Sequence, residues 1–133
     1  MNGKRWKCSA TTVYNISYHF IWCPKYRRKV LAGKVAERLK ELLLQKAKEI
    51  GVEIAQMEIM PDHVHLFVKA DPRNSPHFVA QQLKGYTSRV LREEFPVLRS
   101  RLPSLWTRSY YCESVGHISE ETIRKYIEDQ KGK

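Results

Sequence analysis

Residues 52–68 constrain the fold more than any other stretch, because they contain two strand-like runs with only a short connection between them. In the first run, residues 52–59, apolar and polar side chains alternate, and the alternation changes phase near Gln56, which is typical of a strand with a bulge. The second run, residues 63–68, combines valine, leucine and phenylalanine with two histidines. Only Met60 to Asp62 separate the runs, so the sequence predicts an antiparallel hairpin.

The second run places two histidines on one face of a strand. Successive side chains of a strand point to opposite faces, so His63 and His65 lie on the same side, roughly 6.6 Å apart along the strand, while Val64, Leu66 and Val68 line the other side. Two imidazoles at that separation can converge on one cation, and the turn before them places the pair where a ligand can reach. Two ordinary strand histidines with satisfied hydrogen bonds remain the alternative.

The size and charge of the chain limit its class and its partners. A length of 133 residues with 42% hydrophobic residues predicts one domain spanning residues 1–133. The formal net charge is +10, and residues 1–36 contain eight Lys or Arg and no Asp or Glu. This distribution makes a polyanion the natural partner. Residues 1–12 are predicted to form a basic, partly mobile N-terminal arm.

The cysteines and the apolar runs of the sequence indicate in which cellular compartment the protein is expected. Cys8, Cys23 and Cys112 are far apart and odd in number, which favours neither a disulfide framework nor a zinc site and fits a reducing compartment. The basic N-terminus is not followed by the continuous apolar stretch of a signal peptide. No apolar run approaches the roughly 20 residues that a membrane span needs. We therefore expect a soluble, cytoplasmic protein with no membrane partner.

The remaining sequence alternates between strand and helix patterns in the order β, α, β, β, α, β, α. This order predicts an α+β fold, an antiparallel β-sheet with packed helices, close to a ferredoxin-like plan. Ser75 followed by Pro76 is a typical helix start, and Gly51 a typical helix end. Outside the hairpin, the predicted elements are a strand at 13–23, a helix from 34 to 50, a helix from 76 to about 95, a short helical piece at most within 96–103, one or two short strands within 105–115 and a final helix after 119.

Two groups of cations are candidates for contact with a polyanion. Lys25, Arg27 and Arg28 lie in a concentrated basic turn after Pro24, although a solvated loop would have the same composition. In the helix from residue 76, Phe78, Val79, Leu83, Val90 and Leu91 are predicted to point inward. The other face carries Lys84, Tyr86, Ser88, Arg89 and Arg92, which are typical of side chains that hold phosphates or stack on bases, and equally of a solvated face.

One glycine interrupts this helix. Gly85 costs roughly 1 kcal/mol relative to alanine in a helix interior, and close packing of the backbone is one reason for such a residue.

The final helix supplies a second pair of chemically useful residues. Tyr126 and Gln130 are four residues apart and therefore lie on one helix face. Together with His63 and His65, the carbonyl oxygen of Gln130 makes a neutral nitrogen and oxygen ligand set, which leaves the charge of a bound Mg²⁺ or Mn²⁺ available to phosphate oxygens. The Tyr126 hydroxyl is then a candidate nucleophile, and its attack on DNA would conserve the phosphodiester bond as a phosphotyrosine ester.

These residues resemble a known family, the single-tyrosine HUH transposases of the smallest bacterial and archaeal insertion sequences, also called IS200-like transposases. The family is named for the motif histidine, hydrophobic residue, histidine, seen here as His63-Val64-His65. The resemblance covers nearly the whole chain. It is carried by residues 18–28, 60–65, 84–89, 105–116 and 126–130.

The resemblance implies a chemistry and a substrate. Tyr126 would form a 5′-phosphotyrosine link and release a 3′-OH, while His63, His65 and Gln130 would hold Mg²⁺ or Mn²⁺. The fold would be the HUH endonuclease variant of the ferredoxin-like or RRM-like plan. The protein would act on single-stranded DNA at the ends of an insertion sequence. It would recognise subterminal hairpins there and associate with the nucleoid when bound to DNA.

The resemblance also implies a homodimer whose composite active sites combine the histidines of one subunit with the tyrosine helix of the other. The printed sequence ends three residues after Gln130. If relatives use residues beyond this helix to dock it, we expect the docking to be looser or differently arranged here.

Two other functions remain open at this point. A ferredoxin-like nucleic-acid-binding module without chemistry would explain the charge, but it leaves the match of His63, His65, Tyr126 and Gln130 unexplained. A domesticated HUH nuclease that cuts hairpins without mobilising an element would use the same residues.

Three further side chains have simpler interpretations. His19 is interpreted as a packing or hydrogen-bonding histidine on a strand next to the histidine strand, rather than as a metal ligand. Trp22 and Trp106 are interpreted as core residues rather than as platforms for bases.

Overall fold

A computed structural model describes residues 7–8, 13–14 and 16–114 of the chain. Tyr126, Gln130 and the predicted final helix lie outside the described residues. The described α-helices are α1 (Gly33–Ile50), α2 (Pro76–Glu94) and α3 (Pro96–Arg101), and a 3-10 turn spans Lys25–Arg27. The strands are β1 (Lys7–Cys8), β2 (Val13–Tyr14), β3 (Ile16–Trp22), β4 (Glu53–Met60), β5 (His63–Ala70) and β6 (Tyr111–Ser114).

Strands β3 to β6 form one four-stranded sheet in the order β4-β5-β3-β6. Every neighbouring pair is antiparallel, and α1 and α2 connect β3 to β4 and β5 to β6. This is the βαββαβ order of a ferredoxin-like fold, so the predicted α+β fold is confirmed.

The N-terminal part of the chain differs from the prediction of one strand over residues 13–23. The structure has two strands there, and β2 pairs with β1 in a separate two-stranded sheet. Lys7 and Cys8, within the predicted arm, are therefore paired in a short ribbon. Strand β3 ends before Pro24, as predicted.

The predicted hairpin of β4 and β5 is confirmed, including its irregularity. Met60 pairs with His63 across the turn, and the register shifts between Ile54 and Gln56. One extra residue on β4 therefore restores the pairing of its later residues with β5, which explains the change of phase in the sequence. Glu58 lies directly opposite His65 in this register.

Both predicted helix ends are present. The Ser75 hydroxyl accepts a hydrogen bond from the backbone N–H of Phe78, 3.1 Å away, and Pro76 begins α2. Gly51 follows α1 in the left-handed conformation with φ of 80°, which glycine adopts without steric cost. These local signals determine where α1 ends and where α2 begins.

The core lies between the two long helices and one face of the sheet. Phe20 and Trp22 of β3 and Val64, Leu66 and Val68 of β5 are all buried there. Leu39, Leu42 and Leu43 of α1 and Val79, Leu83 and Leu91 of α2 pack against the sheet. The apolar face of the histidine strand is therefore the centre of the fold.

Two predictions about α2 are wrong. Phe78 was expected to point inward, but it remains 38% exposed, while Ala80 and Thr87 are buried instead. Gly85 was explained by close packing, yet a Cβ atom at this position would meet nothing within 4 Å. Helical spacing therefore predicted part of the buried face of α2 correctly but missed Ala80 and Thr87.

None of the described helices is long and apolar enough to cross a membrane.

Candidate metal centre and its cationic surroundings

The sheet face opposite the core carries a cluster of rings, here called the histidine face: His19, His63, His65, Phe67 and Tyr111. Strand register brings them together, because His19 of β3 pairs with Phe67 of β5. The rings of His63 and His65 are 4.7 Å apart between centroids and nearly perpendicular, at 71°. The predicted histidine pair therefore lies on one face with its two imidazoles adjacent.

His63 makes a short hydrogen bond to the residue before it. Its Nδ1 lies 2.7 Å from Oδ1 of Asp62. The hydrogen bond from His63 is the largest of the effects that lower the pKa of the Asp62 carboxyl, and Arg27 lowers it further. Because an ionised carboxylate only accepts hydrogen bonds, Nδ1 carries the proton and donates it. In a neutral ring with this hydrogen bond, the lone pair is on Nε2, and imidazole binds a metal in this form.

Asp62 is in turn held by a cation. Nη2 of Arg27 donates to Oδ2 of Asp62 at 3.0 Å, so the two carboxylate oxygens have different partners. Sequence reasoning assigned Arg27 to DNA contact and Asp62 to the turn alone. Neither local spacing nor composition connects two residues that are 35 positions apart.

His19 lies on the strand next to the histidine pair, as expected. It is 1% exposed and its ring stacks on that of His65, with centroids 5.8 Å apart and planes at 22°. Burial lowers the pKa of His19, and the charge of Glu113 on β6 acts in the opposite direction. These contacts agree with the interpretation of His19 as a packing histidine.

The donor chemistry of the pair fits a divalent cation. The rings of His63 and His65 lie with their centroids 4.7 Å apart, and His65 is 2% exposed, so in their neutral forms the two side chains offer imidazole nitrogen donors beside each other. Within residues 16–114, no group of three His, Cys, Asp or Glu side chains is arranged to hold a metal. The described part therefore offers two donors, and the predicted third ligand, Gln130, lies outside it.

The six cations predicted to contact DNA differ in their surroundings. Lys84 is half-buried, and its amine donates to the carbonyl oxygens of Thr107, Ser109 and Arg108 at 2.8, 3.1 and 3.3 Å. Burial lowers the pKa of the Lys84 amine. The amine holds the segment that leads into β6, which is a structural contact that helical spacing alone does not reveal.

The two arginines on α2 also have partners within the protein. Arg89 lies 3.9 Å from a Glu93 oxygen, and its guanidinium stands 5.6 Å from the centre of the Tyr86 ring. Arg92 donates from Nη2 to the carbonyl oxygen of Leu102 at 3.4 Å. The predicted basic face of α2 is thus partly neutralised or used in packing.

The basic turn after β3 has a different character. Arg28 and Lys29 line a groove of about 390 Å³ together with Arg101 at the end of α3, and none of the three pairs with an acidic side chain among residues 16–114. The backbone N–H of Leu31 donates to the carbonyl oxygen of Pro61 at 3.0 Å, which joins this segment to the turn before His63. The segment that carries Arg28 and Lys29 is therefore joined by a backbone hydrogen bond to the turn that precedes the histidine pair.

Comparisons of the sequence with known proteins point to one family. The model of the family described as transposase IS200 like matches residues 12–130. The ISDra2 transposase TnpA of Deinococcus radiodurans is 44% identical over 124 residues, which cover 91% of this chain and 88% of that protein. The transposase for insertion sequence element IS200 of Salmonella typhimurium is 31% identical over 126 residues, covering 93% and 82% respectively.

Solved structures give the same result at the level of the fold. The crystal structure of a Deinococcus radiodurans protein described as a transposase superposes with a TM-score of 0.77 and 37% identity, covering 93% of this chain and 97% of that one. A REP-associated tyrosine transposase bound to a REP hairpin superposes with a TM-score of 0.61, covering 90% and 67%. Its identity is 12%, so this second likeness concerns the fold alone.

Proposed function

The chain belongs to the family of IS200-like transposases, and on that premise we propose that it cleaves and rejoins single-stranded DNA through a 5′-phosphotyrosine intermediate on Tyr126. One observation carries the proposal. Nδ1 of His63 is hydrogen-bonded to Asp62, and its ring lies beside the ring of His65, so two imidazoles are placed together at the start of β5, where they could bind one cation. A binding module without chemistry has no need for that arrangement.

We assign the cation, Mg²⁺ or Mn²⁺, to His63, His65 and Gln130, where it would offset the charge that develops on the scissile phosphate. The Tyr126 hydroxyl attacks phosphorus, a bond from the tyrosine oxygen to phosphorus forms, and the bond from phosphorus to the 3′ oxygen breaks. Tyr126 loses its phenolic proton, and the leaving 3′ oxygen becomes a hydroxyl. A 3′-OH can reverse the reaction, so rejoining needs no external source of energy.

The proposed substrate is single-stranded DNA that forms a hairpin near the end of an insertion sequence. The net charge of +10 supports a polyanionic partner. The REP-associated relative was solved with a REP hairpin bound. We further propose a homodimer in which the histidines of one subunit act with Tyr126 of its partner, which is the arrangement that the family resemblance implies.

The contacts of the cations support a proposal for the residues that bind the DNA backbone. Arg28, Lys29 and Arg101 share one groove without an acidic partner in the described part of the chain, so their charge is available to phosphates. The Lys84 amine already serves three carbonyl groups. We therefore assign phosphate binding first to this groove and to Lys25, three residues before Arg28 in the chain, and assign smaller contributions to Arg89 and Arg92.

The most informative test uses a labelled single-stranded oligonucleotide that contains the hairpin and flank from the end of the element. Wild-type protein with Mn²⁺ should cleave it and retain the label on the protein after denaturation. Tyr126→Phe should abolish both, and Tyr86→Phe is the matched control because that hydroxyl contacts Gln45 on α1. An adduct on the Tyr126→Phe protein would refute the assigned nucleophile.

The same assay separates the alternatives. His63→Ala should lose cleavage yet keep most of its hairpin affinity, because affinity depends mainly on phosphate contacts. His77→Ala is its control, since His77 contacts Tyr110 away from the histidine face. If the wild-type protein binds the hairpin but never cuts it, the binding module is the correct function. If it cuts but fails to join the product to a second oligonucleotide, it is a hairpin nuclease.

A further inference from the structure

Two polar contacts link the basic turn after β3 to His63. Arg27 contacts Asp62 in the turn before β5, and Asp62 contacts His63. We propose that Asp62 and Arg27 are positioning residues: Asp62 keeps the proton of the His63 ring on Nδ1, and Arg27 keeps the Asp62 carboxylate in place. The proposal deepens the proposed function, because it explains how the first metal-binding histidine is prepared before any cation or DNA arrives.

The geometry of the carboxylate supports this assignment. Oδ1 of Asp62 accepts from Nδ1 of His63 at 2.7 Å, and Oδ2 accepts from Nη2 of Arg27 at 3.0 Å. Each oxygen has its own partner, so the two contacts do not compete. The side chains of Asp62 and His63 are each 20% exposed, which shields their hydrogen bond from most of the surrounding water.

The position of Asp62 in the chain is also required for the contact. Neighbouring residues in an extended strand point to opposite faces, so an Asp62 inside β5 would lie on the core side. Strand β5 begins at His63, and Pro61 and Asp62 form the turn before it. Because Asp62 lies in the turn, its carboxylate can reach back to the ring of the next residue.

The backbone of the basic turn is unusual and places Arg27 across from Asp62. Tyr26 and Arg27 have φ of 60° and 51°, in the left-handed region that residues other than glycine rarely adopt. Such a conformation persists where the surroundings hold it, and it is found most often at functional sites. Here the N–H of Lys25 donates to the carbonyl oxygen of Leu105 at 2.8 Å, and Pro24 forms a bridge with Trp106.

A backbone hydrogen bond also joins the segment after the basic turn to the turn before β5. The N–H of Leu31 donates to the carbonyl oxygen of Pro61 at 3.0 Å. The relative position of Arg27 and Asp62 therefore does not depend on their own ion pair. An exposed ion pair adds little stability, and Arg27 is 69% exposed, so orientation of Asp62 is the contribution that this pair can make.

The test measures which nitrogen of the His63 ring carries the proton in the metal-free protein, and it measures the affinity of the same protein for Mn²⁺. Nitrogen NMR of the imidazoles, assigned with a His63→Gln variant, should show His63 protonated at Nδ1. In Asp62→Ala the proton should distribute between both nitrogens, and Mn²⁺ affinity should fall about 10-fold to 100-fold, as expected when the partner of a metal-binding histidine is lost. Asp62→Asn keeps an acceptor oxygen and should lose less.

Arg27→Gln should produce a smaller change in the same direction, of up to about tenfold in Mn²⁺ affinity. Arg27→Lys should recover part of it. The matched control is Arg73→Gln, because Arg73 pairs with Asp71 at 2.8 Å in the turn after β5, at the opposite end of that strand from His63. Thermal unfolding of each variant shows whether the protein is folded at the temperature of the titration.

The outcomes distinguish this proposal from the proposed function. If Asp62→Ala is folded and leaves both the His63 proton and the Mn²⁺ affinity unchanged, Asp62 is not a positioning residue. If the proton on His63 responds to Asp62→Ala but the wild-type protein binds no Mn²⁺, the positioning role is supported and the metal site of the proposed function is wrong.

Discussion

Strand β5 has two faces that differ in composition and in what their side chains can do. On one face Val64, Leu66 and Val68 are fully buried against α1 and α2. On the other face His65 and Phe67 are just as buried, but they belong to a cluster of rings that includes His19. The two faces of β5 therefore do not differ in burial. They differ in the chemical type of their side chains.

The difference shows how a small domain combines stability with chemistry. The apolar face makes non-directional contacts, so its contribution depends on the area and volume that it buries. The metal site proposed on the histidine face would depend on orientation, because a metal ligand is useful only with its lone pair in the right direction. Neighbouring residues of one strand should therefore respond to substitution in opposite ways.

The largest expected effect on stability comes from the apolar face. Leu66→Ala should lower the free energy of unfolding by about 2–5 kcal/mol, because it leaves a cavity under both helices. Leu44→Ala is the control, since Leu44 lies on α1 but is 51% exposed. Urea unfolding of both variants measures the difference, and equal losses would show that the apolar face is not the main source of stability.

A medium effect on stability is expected at the hydrogen bond between the buried side chains of Trp106 and Thr87. The indole N–H of Trp106 donates to the Thr87 hydroxyl at 3.1 Å, and Thr87 is fully buried. Thr87→Val keeps the shape but leaves the indole without its partner, which should cost about 1–3 kcal/mol in unfolding free energy. Thr107→Val removes an exposed hydroxyl that contacts Ser109. Unfolding of the two variants should differ, and a neutral Thr87→Val would contradict the assignment.

The smallest expected effect is on DNA affinity at the groove lined by Arg28, Lys29 and Arg101. Arg28→Ala and Arg101→Ala should each reduce the slope of log affinity against log salt by about 0.7–0.9, the value for one phosphate contact. Lys84→Met should change the slope less, because its amine contacts three carbonyl groups. Fluorescence anisotropy of a labelled hairpin at several salt concentrations provides the measurement. A larger slope change for Lys84→Met would reverse the assignment of the groove.

Much of the fold could be predicted from local patterns. Alternation identified β4 and β5, the phase change near Gln56 identified the bulge, and Ser75 and Gly51 marked helix ends. These features depend on residues that are close in the sequence. The same applies to the histidine pair, whose common face follows from the spacing of two residues in one strand.

The contacts that the sequence did not predict involve distant segments. The contact of Arg27 with Asp62 requires a left-handed turn that no residue in the sequence signals, because Tyr26 and Arg27 are not glycine. Lys84 was assigned to the DNA surface because helical spacing places it on a polar face, but spacing does not show that residues 107–109 pass over that face. Side-chain partners across the fold could therefore not be read from periodicity.

The central claim is that the histidine face carries the chemistry and the apolar face of the same strand carries the stability. The most direct test is the cleavage rate per folded molecule for His65→Ala and Leu66→Ala, measured with Mn²⁺ and a hairpin oligonucleotide at a temperature where both are folded. We predict that folded Leu66→Ala cleaves at close to the wild-type rate and that folded His65→Ala does not cleave. Cleavage by His65→Ala at the wild-type rate would contradict the claim.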